Sequence, residues 1–101
     1  MAAGYTIRNN AASPVAVIVV GTPGADWIVG SDFNDILDGQ GGNDLICGRA
    51  GNDDLRGLSG DDRIFGGNGD DRISADTGTD TGNGGNGNDT CTASTETRIS
   101  C

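Results

Sequence analysis

Residues 39–74 read GQGGNDLIC, GRAGNDDLR, GLSGDDRIF and GGNGDDRIS, with Gly first, Gly fourth, Asp sixth and an aliphatic residue eighth in each nine-residue unit. The frame continues outward in both directions. Residues 21–38 give GTPGADWIV and GSDFNDILD, and residues 75–92 give ADTGTDTGN and GGNGNDTCT. Asp26, Asp35, Asp44, Asp53, Asp62, Asp71, Asp80 and Asp89 hold the sixth position of all eight units. Ala75 replaces one first-position glycine, and Phe33 replaces one fourth-position glycine. The eighth position runs Ile28, Leu37, Ile46, Leu55, Ile64 and Ile73, then fails at Gly82 and Cys91. A fixed short period means stacked units, none of which can bury its apolar face alone. Glycines supply the tight turns. Successive strand residues face opposite ways, so a three-residue strand turns only its middle side chain inward. That middle residue is the eighth position, which predicts the core.

The frame G-G-x-G-x-D-x-U-x resembles the repeats-in-toxin (RTX) nonapeptide, a calcium-binding repeat. The resemblance implies an all-β, right-handed parallel β-roll: a six-residue turn, a three-residue strand, two units per coil and calcium held in the turns. It also implies the ligands. The position-six carboxylates would be Asp26, Asp35, Asp44, Asp53, Asp62, Asp71, Asp80 and Asp89. Backbone carbonyls at positions two and four would come from Thr22 and Gly24, Gln40 and Gly42, Arg49 and Gly51, and Leu58 and Gly60. Gly67 and Gly69, Asp76 and Gly78, and Gly85 and Gly87 complete that set. A typical site would join Asp44, Gln40 and Gly42 to the next turn on the same edge, the one holding Asp62. Calcium takes six to eight oxygens, so pairing the turns in this way predicts about six ions. Phe33 predicts a distorted second turn, and Ala75 with Gly82 predicts a weak seventh unit. The best sites should end in Asp44, Asp53, Asp62 and Asp71.

Composition agrees with a metal array. The chain has 101 residues, a net charge of −9, no His, and 15 acidic residues of which only Glu96 is not Asp. One small domain with so few inward aliphatics needs a metal, disulfides or a partner. Magnesium demands a strict octahedron that suits a backbone-rich cage badly. Zinc prefers His and clustered Cys, which are absent here. The competing reading, Asp side chains that merely cap their own turns, leaves stacked carboxylates to repel one another.

Three segments follow: 1–20 with a capping strand, the roll over 21–92, and a tail over 93–101. The first lacks the basic start and long apolar core of a secretory signal, and its six-residue apolar run, Val15–Val20, is too short to span a membrane. Counting back from Gly21 puts Val17 at the aspartate position and Val19 at the inward position, so Val15–Val20 predicts a metal-free strand. The tail ASTETRISC carries no repeat. Cys91 is inward and Cys101 is near it in sequence, so a disulfide between them is one reading in an oxidising compartment. Cys47 points outward, and an intermolecular bridge or a free thiol stays open.

Odd and even units should build opposite sheets. The even face alternates Asp38, Asp54, Arg56 and Arg72 and reads as an ordinary solvated surface. The odd face shows Trp27, Val29, Leu45, Cys47 and Phe65. Such an apolar stripe predicts either a contact surface or a face covered by the folded-back N-terminal segment. Catalysis finds no support: there is no His, no Lys and no serine in a nucleophile setting. The charge disfavours nucleic acid, and the third positions form no threonine ladder of the ice-binding kind. Two functions remain, both placing the chain outside a bacterial cell. One is a calcium-folded structural or assembly protein that forms oligomers or filaments through its ends or its stripe. The other is an accessory folding and secretion module for an enzyme, toxin or adhesin.

Overall fold

A computed structural model of the chain describes residues 6–9, 15–93 and 98–100. The elements are short strands: β1 (Thr6–Asn9), β2 (Ile18–Val20), β3 (Asp26–Val29), β4 (Ile36–Asp38), β5 (Leu45–Cys47), β6 (Asp54–Arg56), β7 (Arg63–Phe65), β8 (Arg72–Ala75), β9 (Thr81–Asn83), β10 (Thr90–Ala93) and β11 (Arg98–Ser100). Among the described residues there is no helix, hence none long and apolar enough to cross a membrane. Odd strands form one sheet in the order β1-β3-β5-β7-β9-β11, and even strands form the other in the order β10-β8-β6-β4-β2. All pairings are parallel. The chain is therefore a parallel β-solenoid of about four turns, the all-β roll that the nine-residue frame implies.

Position eight supplies the core. Ile28, Ile46, Ile64 and Gly82 stack in register in one sheet. Val19, Leu37, Leu55, Ile73 and Cys91 stack in the other. Ile28, Leu37, Ile46, Leu55, Ile64 and Ile73 are fully buried, with Val17, Val19 and Cys91 packed against them. Each buried aliphatic contributes about 1.5–3 kcal/mol. Ordering a residue costs about 1–2 kcal/mol of backbone entropy, so one such side chain per nine residues is a thin core. The turns must supply the rest.

The ends add more strand than the frame suggests. Val19 stands opposite Leu37 as expected, and the Val17 N–H donates to Asp35 Oδ1 at 2.8 Å, which places Val17 at the sixth position. The regular strand is confined to Ile18–Val20 rather than the full apolar run. β1 then joins the edge of β3, Thr6 opposite Asp26. Residues 6–9 thus lengthen the odd sheet instead of crossing its outer face, and Trp27 and Phe65 stay 42% and 43% exposed. At the other end the tail is not structureless: Arg98–Ser100 pair with β9, Ile99 opposite Gly82. Cys91 is disulfide-bonded and Cys47 is a half-buried free thiol; Cys101 lies outside the described residues.

The even face follows the expected register, with Asp38 opposite Arg56 and Asp54 opposite Arg72. The ion pair that forms is a different one. Arg56 Nη2 meets Asp54 Oδ2 of its own strand at 3.0 Å, because residues two apart share a face. Such solvated pairs contribute about 0–1 kcal/mol.

Candidate metal centre

Each turn delivers its aspartate into the same setting. The carboxylate is tied across one coil: Oδ1 of Asp44, Asp53, Asp62, Asp71, Asp80 and Asp89 accepts the backbone N–H of the aspartate eighteen residues earlier, at 2.8–2.9 Å. Its other oxygen folds back toward the glycine that opens its own unit. A β-carbon added at Gly39, Gly48, Gly57, Gly66 or Gly84 would lie 2.5–2.6 Å from Oδ2 of Asp44, Asp53, Asp62, Asp71 or Asp89 respectively. A carbonyl from the coil above closes on the same spot: that carbon would sit 2.8 Å from Gly66 O at Gly48 and 2.6 Å from Gly84 O at Gly66. The first-position glycine is therefore the space into which carboxylate and carbonyl oxygens converge. At the seventh unit Ala75 fills that space with a fully buried methyl group.

Oδ2 of Asp44, Asp53, Asp62, Asp71 and Asp89 is buried and has no hydrogen-bond partner. An unpaired buried carboxylate oxygen is expensive. Among the described residues no three acidic or thiol side chains converge on one point, so a cation here must draw on backbone carbonyls as well. That is the donor set of a hard ion such as calcium, not of zinc.

The backbone divides the turns into two kinds. Position two is left-handed in five of them: Gln40 (φ 66°), Arg49 (75°), Leu58 (62°), Gly67 (88°) and Gly85 (84°). A left-handed non-glycine residue costs about 1–2 kcal/mol, and such strain persists where the surroundings enforce it. These are the units whose Asp Oδ2 is unpartnered. Thr22, Ser31 and Asp76 do not take this conformation at position two, and Asp26, Asp35 and Asp80 are not among the unpartnered carboxylates. In the first turn Asp26 Oδ2 accepts the Thr22 N–H at 2.7 Å, and Oδ1 accepts the Thr22 hydroxyl at 2.8 Å. In the second, Ser31 does the same for Asp35, both bonds at 2.7 Å. The fourth-position residues Gly42, Gly51, Gly60, Gly69, Gly78 and Gly87 are all left-handed, whereas Gly24 and Phe33 are not. The structure thus brings Gln40, Arg49, Leu58, Gly67 and Gly85 together with open carboxylates, and sets Thr22, Gly24 and Asp76 in turns of another kind.

Position five carries a role the repeat frame did not suggest. Asn34, Asn43, Asn52, Asp61 and Asp70 each accept, on side-chain Oδ1, the N–H of the residue eighteen further on, at 2.7–2.9 Å. Asn and Asp serve equally because only an acceptor oxygen is required. The recurrence of Asn or Asp beside the invariant aspartate was the available signal.

Stacking carboxylates away from water raises their pKa. Burial pushes Asp44 up to about 7, and the neighbouring charge of Asp26 adds to this against a lowering bond from the Asp26 N–H. Burial, then the charges of Asp35 and Asp71, raise Asp53 to about 7. Asp62 reaches about 8 through burial and the charges of Asp44 and Asp80, and Asp71 about 6 through burial with Asp89 and Asp70. A divalent cation would reverse this balance by favouring the ionised forms.

These features define a cation-dependent parallel β-roll. Residues 20–55 and 56–91 each match the RTX calcium-binding nonapeptide repeat (4 copies), and the chain belongs to that family. Its repeats are accordingly calcium-binding repeats. No curated protein and no solved structure matches the chain.

Proposed function

We propose that this chain is a calcium-folded structural protein acting outside the cell, in which the roll itself is the working product. The observation that carries the calcium dependence is the set of five buried, unpartnered Oδ2 atoms. The ligands are Asp44, Asp53, Asp62, Asp71 and Asp89 with carbonyls of their turns, about five ions rather than about six if each open carboxylate holds one. Neutralising the carboxylates lets the thin core hold. The disulfide at Cys91 supports an oxidising compartment.

Assembly is supported by the two ends. Among the described residues both sheets stop at open edges, β1 and β2 at one end and β10 and β11 at the other. Open edges invite another strand. Beside β2 lies an apolar patch of Val15, Ile18, Val20 and Ile36, 40–73% exposed. Calcium would offset much of the −9 charge that keeps copies apart. Light scattering across a calcium titration tests this: oligomers should grow as calcium binds, and Ile18→Asp should suppress them. If calcium-loaded protein stays monomeric at high concentration, the role of accessory folding module to a secreted protein replaces this one.

A further inference from the structure

The first coil breaks the rule that the turns ending in Asp44, Asp53, Asp62, Asp71 and Asp89 follow, as the seventh turn with Asp76 and Asp80 also does, and in the first coil the break is chemical. In both of its turns the second residue carries a hydroxyl, Thr22 and Ser31, and in both the turn aspartate is fully hydrogen-bonded. Asp26 and Asp35 are each only 1% exposed, so these bonds satisfy carboxylates that water cannot reach. The same hydroxyls also accept an N–H two residues on, Thr22 Oγ1 from Gly24 at 3.3 Å and Ser31 Oγ from Phe33 at 3.1 Å. Each is thus a local clamp holding the turn in its closed form.

Phe33 is not the cause. The first turn has the standard Gly24 at position four, yet Gly24 stays out of the left-handed region and the turn closes as the Phe33 turn does. The two turns share a fourth residue outside the left-handed region and, at position two, the hydroxyl that bonds the turn aspartate. In open turns the second N–H points elsewhere: Gln40 donates to Asp38 Oδ1 at 2.9 Å and Gly85 to Asn83 Oδ1 at 2.8 Å. The carboxylate then has an oxygen to spare.

We propose that Thr22 and Ser31 withhold the first coil from the metal, making it a calcium-independent cap on which the loaded coils stack. An N–H at 2.7 Å from Oδ2 and a cation compete for the same oxygen, and in the closed turn that oxygen already has a partner and is turned toward its own backbone. Calcium loading therefore starts with the turn ending in Asp44. This rests on the calcium reading above and narrows it to particular turns.

The experiment counts calcium on the full chain by native mass spectrometry and equilibrium dialysis, with circular dichroism to confirm the roll. Thr22→Gly should raise the count by one, since Gly24 is already in place to let that turn open. Thr22→Ser, which keeps the hydroxyl, should leave it unchanged. Leu58→Ser, at an open turn whose second position already carries a side chain, introduces a hydroxyl clamp for Asp62 and should lower the count by one, whereas Leu58→Ala should leave it unchanged. Phe33→Gly should leave the count as it is, because Ser31 still closes that turn. A Phe33→Gly chain that gains an ion, a Leu58→Ala chain that loses one as Leu58→Ser does, or Thr22→Gly and Leu58→Ser chains that both keep the wild-type count, would overturn the proposal. Should Thr22→Gly fail to fold, Leu58→Ser against Leu58→Ala decides alone. A wild-type chain that binds no calcium instead removes the calcium reading itself.

Discussion

Acid should fold the metal-free chain. Asp44, Asp53 and Asp62 titrate at about 7, 7 and 8 in the roll, and Asp71 at about 6, all raised from 3.8. The folded state therefore binds more protons than the unfolded one between about pH 4 and pH 6–8. Where the native state holds the extra protons, stability falls as pH rises, by about 1.4 kcal/mol per pH unit for each proton. Four such groups titrating in the same range make stability fall steeply as pH rises through about 6 to 8. The carboxylates lie in two stacked columns, so the steps will merge into a few macroscopic transitions. Protein stripped on a chelating resin should show strand signal in far-ultraviolet circular dichroism near pH 5 and lose it by pH 8. With calcium bound the dependence reverses, because protons then compete with the ion. Metal-free protein that is equally folded at both values, or that unfolds on acidification, would refute the argument.

Two further perturbations separate the roles of neighbouring positions. Asp62→Asn should weaken calcium binding strongly, since it removes the charge behind a buried unpartnered oxygen; Asp61→Asn should change binding little, since its oxygen only accepts the Thr79 N–H and Asn does this elsewhere. Calorimetric titration of both checks the register, and equal losses would refute it. Ile64→Ala, at a fully buried site between Ile46 and Gly82, should cost about 2–5 kcal/mol in thermal or denaturant unfolding of the calcium-loaded protein without removing a ligand.

Period nine made most of the fold legible. A strict repeat fixes which residue faces inward, so Ile28 through Ile73 and even the degenerate Val19 could be placed by counting. What escaped counting lies out of phase with it. Thr6 pairs with Asp26 at a separation of 20 and Arg98 with Thr81 at 17, so neither strand falls on the 18-residue grid of two units. The difference between open and closed turns escaped for another reason. Position two is variable in the frame, and a hydroxyl there looks like ordinary loop chemistry until its bond to the turn aspartate is seen. Phe33 drew suspicion because it breaks the pattern, while Thr22 and Ser31, which break nothing, close the turns.

The buried aspartate bonds from one coil to the next run one way, and the exposed position-five bonds run the other. Between aspartates the donor is the backbone of the earlier one and the acceptor the side chain of the later, as from Asp26 to Asp44 and from Asp71 to Asp89. In a stack where each layer touches only its neighbours, the two ends are then chemically unlike. Removing a coil from the front frees a carboxylate oxygen and an exposed position-five amide, both of which water readily satisfies. Removing one from the back strands an amide hydrogen beneath the new last layer, where a missing partner costs about 1–3 kcal/mol. The roll has a polarity like that of a growing fibre: each new layer satisfies the one before it, and layers are shed more easily from the front than from the back.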